Sequence, residues 1–463
     1  MDELPSEVDL LIIGTGFIES IISAAASRIG KSVLHLDPND YYGNQWGSFN
    51  LQALLDYNPD PSEPCDFRNK SFSLKNFHYE WLMEDQKEDL LKNSRKFNID
   101  LTPKLHYCRG DFVQLLITSN IARYSEFRSV TRILTWLNGQ LELVPCSRSD
   151  VFASQKVSVV EKRVLMKLLT SLDDILDSEN THNFKKFLES RKLSDNLVTY
   201  VMAMAGATEH TSLGEGVKSV KRFLDSLGRF GKTPYLFSMY GSGEIAQAFC
   251  RLSAVFGGIY ALNQQNLISL DSEDNRITSL TTTKQQIRAQ NYVTSLEQCS
   301  EKFLRPVKIN NYISRAILIT NKSILPSEQE QLSFLIYPEG TERIINVFEL
   351  GSLTGTCPKN YYLVHLTSKQ VTTPQEDFKG ALGNLFSGSD QPQIIFSCYF
   401  SIPETSDLDF ENVPENLFLC PGPDNDLDYN SSIQKAREIF EKMYPDLEFL
   451  PRAPDPEEII IGD

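Results

Sequence analysis

Gly14-Thr15-Gly16 closes an apolar run, Val8 to Ile13, and opens a helix-like stretch, with Asp37 about twenty residues further on. This is the spacing of a turn that cradles a dinucleotide. The glycines let the chain reverse sharply and approach a diphosphate, the helix N-terminus faces the phosphates, and the later acid takes the ribose hydroxyls. Position 19, where the fingerprint wants a third Gly, holds Glu. Its bulk and charge in the first helical turn satisfy the helix dipole and repel a phosphate, so the sequence predicts a retained fold with a lost cofactor site. A flavin site that tolerates Glu19 is the alternative.

A second phosphate-like stretch, Ser226 to Thr233 (SLGRFGKT), lacks the first Gly of a P-loop and runs into Pro234, which forbids the expected helical turn. It reads as a flexible basic loop. No nucleophile elbow, H-E-x-x-H pair or kinase loop set occurs. The eight Cys (65, 108, 146, 250, 299, 357, 398 and 420) form no C-x-x-C pair and the six His are equally scattered, so reduced thiols and no structural metal are expected.

The elements that must position these residues begin with a βαβ unit: a buried strand at Val8 to Ile13, a helix at Ile18 to Arg28, and a short strand at Ser32 to Leu36. From Ser147 to Gly228 the texture turns helical. Val160, Val164, Leu165, Leu168, Leu172, Ile175 and Leu176 recur at three and four residue steps. Asn183 to Arg191 continues the pattern, Ser194 caps LVTYVMAMAGA, and Gly216 to Leu227 adds another helix. The organisation predicted is an α/β framework with mixed sheets, 1–146 and 229–463, holding an inserted all-helical subdomain, 147–228. A last amphipathic helix carries Ile433, Ala436, Ile439, Phe440 and Met443.

Composition bounds the class. A chain of 463 residues with 41% hydrophobic content fills one large core or two domains. It has neither a secretory leader pattern nor eighteen consecutive apolar residues, so a cytosolic location is expected. The net charge of −16 argues against nucleic-acid partners. Sixteen acidic and four basic side chains fall between Glu404 and Asp463, a solvated acidic surface or an attractor for a basic partner.

DLLIIGTGFIES, VLHLDPNDYYGNQW, NIDLTPK, RYSEFRSVTRIL, GRFGKTPYLFSMYGSGEIAQAFCRLSAVFGGIYAL and NYISRAILIT with LVHLT resemble, over almost the whole chain, the Rab escort protein and Rab GDP-dissociation inhibitor superfamily. Within it, VPCSRSDVFASQKVSVVEKRVLMKLL, CPGPDNDLDY and PDPEEIIIGD are similar to escort proteins. One departure is the short connection, Leu55 to Glu80, where vertebrate escort proteins carry a long polar insert.

The resemblance implies a flavoprotein-like fold without flavin or other cofactor, and no catalysis by the chain itself. Escort proteins bind newly made, GDP-bound Rab GTPases and act as a non-catalytic component of Rab geranylgeranyltransferase. They present the Rab to the transferase α/β heterodimer through its α subunit, then carry the geranylgeranylated product to a membrane. It also implies site residues. Tyr42, Arg95, Glu244 and Arg251 match the Rab-binding platform, and Phe152 with Arg163 match the pair that contacts the prenyltransferase. Arg229 to Tyr235 matches a mobile loop implicated in membrane recognition. Leu165, Leu168, Leu169, Met202 and Met204 lie where the family holds the prenyl chain, a stretch whose spacing alone is equally that of plain core. A dissociation inhibitor that only recycles prenylated Rabs, or an FAD-dependent oxidoreductase, are the competing readings.

Overall fold

A computed structural model describes residues 4–57, 67, 69–147, 150, 158–172, 175, 183–304, 308–408, 410 and 413–452. The apolar run at the N-terminus forms the strand Glu7–Ile13 in the middle of a seven-stranded sheet. Val33–Leu36 pairs with it in parallel on one side and Gln286–Ser295 on the other. Ile259–Ala261 and Leu417–Cys420 extend the parallel part, and the hairpin of Leu267–Glu273 and Arg276–Thr282 is added antiparallel. The run is unbroken because the strand is covered on both faces, as central parallel strands are. Leu10 and Ile12 pack on helices, while Leu11 and Ile13 pack on the opposite layer with Leu270 and Leu280.

The helices described are α1 (Phe17–Arg28), α2 (Leu51–Asp56), α3 (Glu84–Lys92), α4 (Asp111–Ser119), α5 (Val159–Thr170), α6 (Phe184–Ser190), α7 (Asp195–Ala205), α8 (Leu213–Ser226), α9 (Gly243–Val255), α10 (Pro374–Phe386) and α11 (Asn430–Met443). The layer over Leu10 and Ile12 includes α1, α9 and α11. The run Ala24-Ala25-Ala26 keeps α1 thin. Ser20, Ser23 and Ser27 reach α9 through hydroxyl contacts: Ser23 Oγ to Ser253 Oγ at 2.9 Å, Ser27 Oγ to Ser253 Oγ at 2.8 Å, and Ser20 Oγ to Cys250 Sγ at 3.3 Å. Buried hydroxyls satisfied in this way fix the register of two helices that apolar contact alone would leave free to slide.

The second sheet has eight strands, in the order Lys75–Trp81, Ile394–Pro403, Tyr312–Thr320, Tyr362–Lys369, Arg343–Leu350, Ser333–Glu339, Arg132–Leu137 and Gln140–Leu143. All neighbours are antiparallel except Ser333–Glu339 with Arg132–Leu137. One face carries α10 through Phe378, Ala381 and Leu385. The other shares a core with α5, α6, α7 and α8, which stand between Gln140–Leu143 and Tyr235–Ser238 in the chain.

Local signals explain the helix ends. Ser158 with Glu161, and Ser212 with Glu215, form capping boxes at α5 and α8. The second box starts α8 three residues before Gly216, where the sequence placed the start. Ser194 holds the N-cap position of α7 without bonding to its own helix. Its hydroxyl instead bonds the Glu161 carboxylate on α5, which together with the Ser158 bonds holds that group below its usual range. Val160, expected on the inner face of α5, is 70% exposed, while Val164, Leu165 and Leu168 pack inward. Leu176 lies outside the described residues. No described helix is long and apolar enough to cross a membrane.

Candidate functional site

The turn that would hold a diphosphate is filled by its own side chains. Glu19 is 2% exposed, and its Oε2 lies 2.5 Å from where a Cβ on Gly16 would stand. Burial pushes the carboxyl up to about 8, a bond to its own backbone N–H opposes the rise, and the charges of Asp37 and Glu297 add to it. The negative charge expected from the sequence at this position is therefore largely absent. At neutral pH Glu19 is mostly protonated, so it excludes a phosphate by occupying the space and not by repelling it.

Asp37, placed to hold a ribose, is spent internally. Its Oδ2 accepts from the Thr15 N–H at 2.8 Å and the Thr15 hydroxyl at 2.6 Å, and its Oδ1 from Asn39 N–H at 2.8 Å and Gln298 Nε2 at 3.1 Å. The Gln298 side chain covers the turn, with Oε1 2.4 Å from a Cβ position on Gly14. A cavity of about 20 Å³ remains beside Gly16 and Glu19, room for about one water molecule. These residues do not fit a dinucleotide.

The same turn now positions a surface loop. Gly43 N–H donates to the Thr15 carbonyl at 3.1 Å and the Thr15 hydroxyl at 3.0 Å, and this staples Tyr42 beside α9. Tyr42 is half-buried there, and burial with the nearby Cys250 and Asp37 raises its hydroxyl above the usual range. Glu244 opens α9 and Arg251 follows two turns later, both exposed. Desolvation at the helix start raises the Glu244 carboxyl and the Arg251 charge lowers it, with the rise prevailing. The Arg251 guanidinium lies 5.9 Å from the ring centre of Tyr124, itself 38% exposed.

Arg95 is exposed in the tight turn Ser94–Lys96. That turn leads to Ile99–Asp100, which pairs with Ser48–Phe49. Asp100 accepts from the Ser48 hydroxyl and from Ser242 N–H at 2.8 Å, while Gly243 N–H donates to Ser48 Oγ at 2.8 Å. The Arg95 turn, the segment after Tyr42 and the start of α9 are thus tied to one buried carboxylate, which burial pushes up to about 6.

The remaining expected residues are dispersed. Arg163 is exposed on α5, and Phe152 lies outside the described residues. Leu165, Leu168 and Met204 are buried in the shared core, and Leu169 packs against it. Met202, half-buried, lines a groove of about 210 Å³ between α7 and the eight-stranded sheet, with Trp136, Val198 and Ile344. Arg229 is exposed and donates to the Cys108 carbonyl at 2.8 Å. Tyr235 is not part of a mobile loop: it is 2% exposed, begins the strand Tyr235–Ser238, and its hydroxyl meets that of Tyr107 at 3.3 Å. Backbone pairing with Tyr107 on one side and the apolar core on the other fix it, and the exposed aromatic of the loop is Phe230.

Sequence reasoning missed Lys104 and its acidic loop. Lys104 is buried, and its ammonium donates to Asp424 Oδ1 at 2.6 Å, the Asp424 carbonyl at 3.0 Å and the Asp426 carbonyl at 2.5 Å. The D-x-D-x-D spacing at Asp424, Asp426 and Asp428 signals a loop that attracts cations, and two side chains answer it, Lys104 at Asp424 and Arg222 at Asp428. No group of three or more His, Cys, Asp or Glu side chains able to hold a metal occurs among the described residues.

The family profile described as GDP dissociation inhibitor matches residues 1–67 and 65–450. The Drosophila melanogaster protein named Rab proteins geranylgeranyltransferase component A is 40% identical over 488 residues, covering 100% of this chain and 93% of the relative. The human component A 1 is 31% identical, covering 100% and 94%. A probable secretory pathway GDP dissociation inhibitor 1 of Schizosaccharomyces pombe is 28% identical, covering 80% and 81%. Among solved structures, the Rab GDI of Plasmodium falciparum superimposes with a TM-score of 0.70 at 18% identity, covering 98% of this chain and 100% of that one. An oxidoreductase from Methanosarcina mazei gives 0.59 at 11% identity, covering 94% and 100%. The last two likenesses establish the fold alone.

Proposed function

This chain belongs to the GDP dissociation inhibitor family, and on that premise we propose that it is a Rab escort protein: it binds GDP-bound Rab GTPases and presents them to Rab geranylgeranyltransferase. The observation that carries the reading is the full-length likeness to proteins named as component A of that transferase. The closed turn at Glu19 and Asp37 supports a role without redox chemistry, in which the former cofactor scaffold holds a docking surface of Tyr42, Arg95, Glu244 and Arg251.

In this role the chain makes and breaks no covalent bond. It orients a GTPase so that the transferase α/β heterodimer reaches the C-terminal cysteines, with Arg163 and Phe152 as the contact to the α subunit. It then shields the product on its way from the cytosol to a membrane. A prenyl chain gains about 0.8 kcal/mol per buried CH₂, so a twenty-carbon lipid gains on the order of ten kcal/mol on leaving water. Some apolar surface of the carrier must receive it. The groove beside Met202, apolar along Trp136, Val198 and Ile344 and charged at Lys185, Glu209 and Arg343, offers part of such a surface, and Phe230 on the basic loop is suited to touch the membrane.

The S. pombe relative keeps a second reading in play, a dissociation inhibitor that only recycles prenylated Rabs. Reconstitution separates the two. With a Rab, geranylgeranyl diphosphate and the transferase, an escort protein permits lipid transfer, and Phe152→Ala with Arg163→Ala weakens it. Extraction of prenylated Rab from membranes without support of transfer would establish the second reading.

A further inference from the structure

Among the described residues other than glycine with positive φ, Lys192, Tyr240 and Leu450 are the three that are not Asn or Asp, and Tyr240 is the aromatic one. It has φ 64°, and a side chain with a Cβ is strained in the left-handed region. It is also 48% exposed, so no burial of the ring explains the conformation. Strain kept at an exposed aromatic points to a use for the ring outside the core.

The surroundings hold the ring in one place. Tyr240 N–H donates to the Thr354 carbonyl at 2.8 Å, and Met239 N–H to the Glu126 carbonyl at 2.8 Å. The ring lies against Gly355, where a Cβ would come within 2.6 Å of Tyr240 Cδ1. Gly355 itself has φ 67°, so both the position and the contact require glycine. The turn bearing Gly355 is fastened from behind. Glu330 accepts from Ser352 Oγ at 2.8 Å and from Leu353 N–H at 2.8 Å, and Asn98 Nδ2 donates to the Gly355 carbonyl at 2.7 Å.

Asn98 follows Arg95 by three residues, and Tyr240 precedes Glu244 by four. The segment after Arg95 and the loop leading into α9 are therefore bonded to one turn, through Asn98 and Tyr240, and that turn carries Leu353, 36% exposed. We propose that Tyr240, together with Leu353 of the turn it bonds to, is a rigid aromatic anchor for the GTPase that docks on Glu244 and Arg251, receiving an apolar patch of that partner. The occupant follows from continuity: Tyr240 is exposed in the loop that leads into α9, four residues before Glu244, so a GTPase seated on Glu244 and Arg251 is the partner within its reach. A preorganised aromatic loses little freedom on binding, which is what concentrates affinity at such positions.

The proposal rests on the Rab-docking reading, and the test keeps the two apart. Affinity for a GDP-loaded Rab GTPase is measured for the wild type, Tyr240→Gly, Leu353→Ser and Glu244→Lys. Glycine accepts φ 64° without strain, so Tyr240→Gly should melt at or above the wild-type temperature while binding about tenfold or more weakly. Leu353→Ser, which leaves the backbone untouched, should weaken binding about threefold or more. Tyr240→Gly and Leu353→Ser binding like the wild type, while Glu244→Lys binds weakly, overturns the anchor and leaves the docking surface standing. No binding by the wild type overturns the docking reading and the anchor with it.

Discussion

Lys104 and Asp424 form a buried ion pair at 2.6 Å, their side chains 2% and 8% exposed, and they join segments 320 positions apart in the chain. Burial alone would push the Asp424 carboxyl up. The Lys104 charge and hydrogen bond, with help from Ser431, outweigh burial and hold it below its usual range. Removing one partner leaves the other charge uncompensated, so Lys104→Met should cost about 3–5 kcal/mol, and Lys104→Met with Asp424→Leu much less. Because the folded pKa is depressed, the wild-type contribution is present above the unfolded value of about 3.9 and is lost as pH falls through the folded value. In Lys104→Met the sign reverses, since burial then dominates and mild acid stabilises. Denaturant titrations across acidic pH check both, and equal slopes for the two proteins would dismiss the pair as the clamp.

Glu19 makes the opposite pH prediction. Its folded pKa is raised to about 8, so its stabilising contribution is full below the unfolded value of about 4.3 and is lost as pH rises through about 8. Stability should fall by a few kcal/mol, on the order of one per pH unit, between about pH 5 and about pH 8. Glu19→Gln, neutral and nearly isosteric, should flatten that slope. Urea unfolding at several pH values reads this directly, and a slope unchanged in the Gln variant would assign it to another group.

The βαβ start was legible because an unbroken apolar run, two glycines and an alanine-rich helix each have one structural meaning. Glu19 was legible as an obstruction, since its size does not depend on context. Its protonation was not, because that follows from burial in the folded protein and from the charges of Asp37 and Glu297, the latter far away in the chain. Tyr235 was misplaced for a similar reason: a Gly-rich basic segment signals a loop, and the strand that ends it forms by pairing with His106–Tyr107 and Phe127–Ser129, both far away in the chain. Tyr240 carried no sequence signal beyond a neighbouring glycine, as its conformation depends on Gly355 and Thr354. Lys104 needed the acidic loop at Asp424 to be brought beside it by the whole fold.

Reversing the charges on α9 tests the docking surface. Glu244 and Arg251 are seven residues apart, about 10 Å along the helix, and they feel each other's charge without a direct ion pair. Glu244→Lys and Arg251→Glu should each weaken Rab affinity by about 2–5 kcal/mol if their partners are desolvated on binding. Rim contacts would change the association rate and its salt dependence alone. Stopped-flow binding at two ionic strengths separates these outcomes, and unchanged affinity together with unchanged rates would remove both residues from the interface.

The helical layer offers a prediction in which two effects oppose each other. Gly216 lies inside α8, and a Cβ there would meet Phe184 Cγ at 2.2 Å, with Cδ1 at 2.5 Å and Cδ2 at 2.6 Å. Alanine at a helix interior gains about 1 kcal/mol over glycine by propensity. Against this, the Phe184 ring is 1% exposed and packed in the shared core, and overpacking a filled core costs about 1–3 kcal/mol. The clash should win, so Gly216→Ala lowers stability by about 1–2 kcal/mol. Phe184→Leu alone opens a cavity and also destabilises, but in the Gly216→Ala background it should cost less than it does alone, because the added methyl occupies the space that the ring leaves. A double-mutant cycle by denaturant unfolding measures the coupling. Additive effects, or a stabilised Gly216→Ala protein, would mean that α6 and α8 separate freely and that the glycine is not what sets their approach.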